Sequence, residues 1–401
     1  MIPPKTIRLW HQVCISLLLP LFLFSCSNLL VEDHAPIQTY LVSSTKVTDV
    51  PLQSLSAVVG QTNPAYLPLL KYSISAYRIV YKTQNWDGKT INASGLLLIP
   101  ATTDPVPMIS QQHGTIFNDA EAPSYFGPAS EAFQFSSIFS SNGYIIACPD
   151  YIGFGESKSQ IHPYEYRATQ AQTCLDMLRA AREYINANAA IKWDSRLYLA
   201  GYSEGGYATM ALYKKMQEEV PFEFNLKAVS AGAGAYDKTN FTKALLAQPS
   251  AGNPNWNRAF LWVLFTYNTI YSDLRRPMDY YFKEPYLTDV KTNGLAANLN
   301  VSIDQTFTDA FKLGVLSGTD TAFLKALADN DIYNWKPLIP LLLTHGTADQ
   351  QVFPLNTASA STAMAAQGST VVTVYPVAGK THVETIPYWL DATYTLFKTI
   401  L

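Results

Sequence analysis

The sequence predicts an α/β protein: a mostly parallel sheet, opened by an antiparallel hairpin and interrupted by a largely helical insertion before its last strands. Three observations predict it. From Val106 to Ala231 short apolar runs alternate with stretches of helical period, the pattern of βαβ units. Ahead of them, residues 72–83 and 91–99 flank Asp87-Gly88, a two-residue pair that favours a hairpin turn. Behind them, residues 238–335 show helical and aromatic character but no strand pattern.

The elements follow in order. Residues 1–12 carry Lys5 and Arg8 and no acid, and Val13–Phe24 is an apolar run broken by Ser16 and Pro20. A basic start, a short apolar run and a small residue at its end describe a signal peptide, and the run is short for a membrane span. Its end, Leu23-Phe24-Ser25-Cys26, resembles the lipobox of bacterial lipoproteins. That resemblance implies cleavage after residue 25, a lipid on Cys26, and an exported protein anchored in the cell envelope, on a periplasmic or surface face. A plain secretory signal is the other reading. Residues 26–50 are polar and read as a tether. The hairpin follows, with Ile74, Tyr77, Ile79 and Tyr81 alternating along its first arm. Strands are then expected at 106–112, 144–149, 196–202 and 226–231, and helices at 129–141, 168–185 and 205–219. Cys174, Leu175, Leu178 and Ile185 recur at helical spacing within the second of these helices. The alternation resumes with strands at 338–344 and 370–375 and helices at 356–366 and 385–400. The core is thus expected in two parts, 51–237 and 338–401, around an inserted cap, 238–337.

Composition narrows the function. Charged residues make up 15% of the chain, against about 25% in an average domain. Lys and Arg total 28 against 31 acids, a net charge of −3, so no basic field attracts nucleic acid. Hydrophobic content of 48% excludes a disordered chain. Cys148 lies in an apolar strand and Cys174 on a helix face; both read as buried thiols, with a bridge between them left open. No Cys/His set has metal-binding spacing, so neither metal nor cofactor is expected.

The chemistry centres on Gly201-Tyr202-Ser203-Glu204-Gly205, a G-x-S-x-G placed between an apolar strand and a helix. That sharp turn lifts a serine hydroxyl above a sheet, and glycines make room for it. A serine nucleophile needs a base, and the chain has six histidines. In sites of this kind the partners follow in the order Ser, acid, His. His11 and His34 are in the leader and tether, and His113 and His162 precede Ser203. His345 lies four residues before Asp349, in a strand-end turn, and cannot follow it. His382, in a loop after the last strand, remains. The reading is Ser203 as nucleophile, His382 as base and Asp349 as the acid that orients it, with Asp329 and Asp331 as alternative acids. The first oxyanion donor is the N–H of Glu204 at the helix start.

The order Ser203, Asp349, His382 on βαβ units resembles the α/β-hydrolase fold. More narrowly, residues 149–157 (Pro-Asp-Tyr-Ile-Gly-Phe-Gly-Glu-Ser), the Gly-Tyr-Ser-Glu-Gly-Gly elbow and the turn His345-Gly346-Thr347-Ala348-Asp349 are similar to the secretory lipase family and its bacterial relatives. The hairpin, Tyr81-Lys82-Thr83 to residues 94–100, is similar too. The resemblance covers residues 72–401. It implies a cap between the sixth and seventh strands of the fold and hydrolysis of carboxylic esters, small or lipid. It also implies that the loop Gln111-Gln112-His113-Gly114-Thr115 supplies the second oxyanion donor, assigned to Thr115 N–H, with His113 supporting the loop. Glu204 stands where many secretory lipases have a smaller residue, which leaves the chain-length preference open. Two other functions compete. A small serine aminopeptidase would need cap acids such as Asp273, Asp279 or Glu284 to hold a substrate amine. A non-catalytic surface binding protein would not need an intact triad.

Overall fold

A computed structural model describes residues 39–400. The leader and the lipidation site expected at Cys26 lie outside the described residues. Nine strands form one sheet: β1 (Leu41–Val50), β2 (Ile74–Gln84), β3 (Thr90–Pro100), β4 (Val106–Gln112), β5 (Ile145–Pro149), β6 (Trp193–Tyr202), β7 (Asn225–Gly232), β8 (Leu341–Gly346) and β9 (Val372–Val377). Their order is β1-β2-β3-β5-β4-β6-β7-β8-β9. The three pairings on the β1 side are antiparallel and the other five are parallel. This is the expected α/β-hydrolase architecture, hairpin included.

The helices are α1 (Leu52–Thr62), α2 (Ser137–Ser141), α3 (Arg167–Ala187), α4 (Glu204–Glu219), α5 (Lys238–Ala247), α6 (Pro254–Ile270), α7 (Met278–Tyr281), α8 (Tyr286–Asn293), α9 (Asp309–Ser317), α10 (Thr321–Asp329), α11 (Leu355–Ala366) and α12 (Ile386–Thr399). Helices α3 and α4 cover one face of the sheet through Cys174, Leu178, Met210 and Tyr213, all fully buried. On the other face, Trp389 and Phe397 of α12 pack against Tyr198 and Tyr202 of β6. The central strands are buried on both faces, which is why they read as apolar runs and not as alternation.

Two expectations need correction. The tether assigned to residues 26–50 contains β1, which pairs with β2 over eight Cα partners. This is an edge strand whose residues are exposed apart from its two half-buried ends, so no period-two apolar signal marks it. Lys46 and two register shifts protect that edge, and the Glu183 carboxylate accepts the Tyr40 and Leu41 N–H groups. The expected helix at 129–141 starts later, as a π turn at 132–136 that runs into α2. Cys148 and Cys174 are both free, so the bridge does not form; burial pushes both thiols up, Cys148 to about 12.

Candidate active site

β6 ends at Tyr202 and α4 begins at Glu204, so Ser203 alone makes the turn. It does so at φ 59°, ψ −124°, a conformation disfavoured for any residue with a Cβ. The flanking glycines permit the turn. A Cβ on Gly205 would run into the Gln112 carbonyl of β4, and one on Gly201 into the Gly205 backbone. Ser203 N–H donates to the Gly232 carbonyl at 2.9 Å, which ties the turn to β7.

His382 meets the serine from the loop between β9 and α12. Its Nε2 lies 2.9 Å from Ser203 Oγ and its Nδ1 2.6 Å from Asp349 Oδ2. A carboxylate only accepts, so Nδ1 carries the proton and Nε2 is left to accept from the serine hydroxyl. Tyr202 O–H donates to the His382 carbonyl at 2.7 Å, and Ala348 N–H donates to the Lys380 carbonyl at 3.0 Å, which joins the aspartate turn to the histidine loop. Asp349 Oδ1 accepts the N–H groups of Gln351 and Val352. Burial alone would raise the Asp349 carboxyl. Hydrogen bonds from His345 and His382 outweigh it and hold the group down at about 2. His345, set aside as a base, lies beside the acid: its Nε2 faces the Val352 carbonyl at 2.8 Å and lies 3.2 Å from Asp349 Oδ2, and its Nδ1 lies 2.8 Å from Thr357 Oγ1. The alternative acids sit elsewhere. Asp329 accepts from Tyr271 and Arg167, and Asp331 from Thr239.

The N–H groups of Thr115 and Glu204 have no acceptor among the described residues. Gly114 N–H is already committed to the half-buried Glu131 carboxylate at 3.0 Å. A Cβ on Gly114 would sit 3.8 Å from Ser203 Cβ, so this loop lies against the serine. His113 braces it, its ring nitrogens facing the carbonyls of Gly114 and Asp150 and its ring stacked on Tyr151.

Sequence reasoning missed what holds Glu204. Its buried carboxylate meets His162 Nε2 at 2.9 Å and accepts Gln170 Nε2 at 2.7 Å. His162 Nδ1 faces the Ile152 carbonyl at 2.7 Å. Both ring nitrogens therefore face acceptors. An acid next to a nucleophile at a buried helix start was the one available signal that a partner must exist.

Ser203 opens into a cavity beneath the segment between β7 and β8. Most of its wall is apolar, including Phe241, Leu245, Val263 and Phe307. Tyr164, whose hydroxyl bonds Thr115 Oγ1 at 2.7 Å, closes one side and is stacked under Trp262. Asp273, Asp279 and Glu284 are exposed and none lines this cavity. Among the described residues no cluster of metal-binding side chains exists, and no helix is long and apolar enough to cross a membrane.

Comparison with known proteins shows the fold and the family. The chain is similar to the crystal structure of a Legionella pneumophila protein described as a hydrolase, at 27% identity and TM-score 0.78, over 90% of this chain and 98% of that one. It shares its fold with the rice cell wall degrading esterase LipA of Xanthomonas oryzae, at 23% identity and TM-score 0.72, over 90% and 97% of the two chains. The fold also matches lipase A of Candida antarctica in its closed state, at 18% identity and TM-score 0.60, over 88% and 82%. No curated protein matches. The model of the secretory lipase family matches residues 131–396, a span that holds Ser203, Asp349 and His382. The chain belongs to the secretory lipase family and is a carboxylic ester hydrolase.

Proposed function

We propose that the protein cleaves carboxylic esters by acyl transfer through Ser203, His382 and Asp349. The observation that carries this reading is His382 bridging the other two residues at 2.9 and 2.6 Å, with Asp349 held ionised. Ser203 Oγ attacks the ester carbonyl as His382 Nε2 takes its proton. The C=O pair moves onto oxygen, where the N–H groups of Thr115 and Glu204 receive it. Collapse expels the alcohol, which takes the proton from His382, and leaves an acyl-enzyme. Water then attacks, His382 takes its proton and returns it to Ser203, and the carboxylic acid departs. Asp349 stabilises the imidazolium throughout and is not itself protonated. The apolar cavity suits an acyl chain of an uncharged ester, small or lipid. Export with a lipid anchor at Cys26 fits a secretory family and completes the proposal.

The aminopeptidase reading loses its support, because the cap acids it needs are exposed and away from Ser203. A test compares p-nitrophenyl acetate, butyrate and palmitate with aminoacyl anilides, using protein without residues 1–26. Ester turnover that disappears in Ser203→Ala is expected. Turnover confined to anilides would reverse the assignment.

A further inference from the structure

The apolar cavity over Ser203 contains one ion pair. Lys238, the first residue of α5, and Glu165, in the loop before α3, are 2% and 5% exposed, and Lys238 Nζ contacts Glu165 Oε2. Both line the same cavity as Ser203. Lys238 Nζ lies 4.7 Å over the ring of Tyr207, a residue of α4 whose N–H donates to the Ser203 carbonyl. Stability gives no reason for it. Two buried charges lose more hydration than their attraction returns, and apolar residues of similar volume serve a core as well or better. Glu165 is moreover held at φ 49°, a region unfavourable to a side-chain-bearing residue, with its carbonyl fixed by Tyr267 O–H at 3.1 Å.

The hydrogen-bonding capacity of the pair is only partly used. An ammonium has three N–H donors, and one of them goes to Glu165. Among the described residues Glu165 Oε1 accepts no hydrogen bond and the remaining Lys238 donors find no acceptor. Wherever the shared proton rests, the two groups offer a donor and an acceptor side by side. A hydroxyl group is the simplest ligand that satisfies both at once: its oxygen accepts from Lys238 and its hydrogen donates to Glu165. A substrate amine would meet a carboxylate already neutralised, and a plain alkyl chain would cover both groups and satisfy neither.

We propose that Lys238 and Glu165 are specificity-determining residues that select esters whose acyl chain carries a hydroxyl group. This inference rests on the ester-hydrolase reading and names its substrate class. A site built to bond a hydroxyl discriminates strongly against the analogue that lacks it, because the buried partners are then left unpaired.

The test measures kcat and KM for methyl hexanoate, methyl 3-hydroxyhexanoate and methyl 6-hydroxyhexanoate. For the wild type, at least one hydroxy ester should exceed methyl hexanoate in kcat/KM by about tenfold or more, mainly through KM. In the double variant K238M/E165L the ratio of kcat/KM for the hydroxy esters over methyl hexanoate should fall to one or below. Methyl hexanoate cleaved by the wild type as well as or better than both hydroxy esters would overturn the inference and leave the ester reading standing. Turnover of none of the three would overturn the ester reading on which it rests. If the double variant does not fold, the wild-type ratios alone decide.

Discussion

The core and the cap hold their helices in different ways. In the cap, four of the six helices, α5, α6, α9 and α10, begin with a side chain that closes the first turn: Asp237, Asn253, Thr308 and Asp320 accept an N–H of their own helices, while α7 and α8 have no such bond. In the core, α3, α4, α11 and α12 begin with no such bond. The core helices are anchored by burial against the sheet, so their ends are free for other uses. The case that matters is α4. Ser203 occupies the position where a serine ordinarily caps a helix, yet its Oγ turns to His382. One N–H at this helix start, that of Glu204, is proposed to receive the oxyanion together with Thr115 N–H of the β4 loop. Core residues therefore set the chemistry, and cap residues shape the cavity in which it happens.

Four sets of substitutions separate the roles of core and cap. The largest effect is expected at Asp349. Asp349→Asn should lower kcat about 10⁴-fold, because an amide lets His382 take the wrong tautomer. Steady-state kinetics on p-nitrophenyl butyrate measure this, and a loss under tenfold would move the acid elsewhere. Next comes Glu204→Ala, which cuts the tie to His162 and Gln170 behind the proposed oxyanion amide. About a 100-fold fall in kcat with little change in KM is expected. A change confined to KM would assign Glu204 to binding instead.

The third test concerns the base of the cap. Asp331 bonds the N–H and hydroxyl of Thr239 and so joins the end of the cap to its start. Burial outweighs these bonds and pushes its carboxyl from 3.8 to about 6. A raised acid disfavours folding once it must ionise, so its favourable state exists at low pH and is lost as pH rises through about 6. Asp331→Asn should therefore be more stable than the wild type at pH 8 by roughly 2 kcal/mol, with the gap closing near pH 4. Urea unfolding at the two pH values reads it. The smallest test compares the two kinds of helix start. Thr308→Ala should cost about 1 kcal/mol of stability, while Ser203→Ala should cost almost none, since Ser203 caps nothing. Equal losses would contradict the division drawn here.

How far the sequence alone reaches follows the same division. Ser203, Asp349 and His382 were legible because each follows a strand of the βαβ pattern and because five of the six histidines could be set aside by position. The parallel core was legible through its alternation of periods. β1 was not, since an exposed edge strand carries no burial pattern. The cap helices left their capping residues in the sequence, yet aromatic and apolar residues are spread through them and no single stripe stands out. Lys238 and Glu165 were invisible for a plainer reason: they lie 73 residues apart, and each is of a type that ordinarily belongs to the surface. Only the fold brings them to one cavity. His162 was discounted for preceding the serine, which excludes it as the base but not as the partner of Glu204.

The central claim is that Ser203 is an activated nucleophile. Treating the protein with a fluorophosphonate and measuring its intact mass and peptide adducts tests this directly. One adduct per chain, on Ser203, with ester turnover lost in proportion to labelling and no adduct in His382→Ala, is predicted. Ester turnover that persists in fully labelled protein, or an absence of label on Ser203, would contradict it.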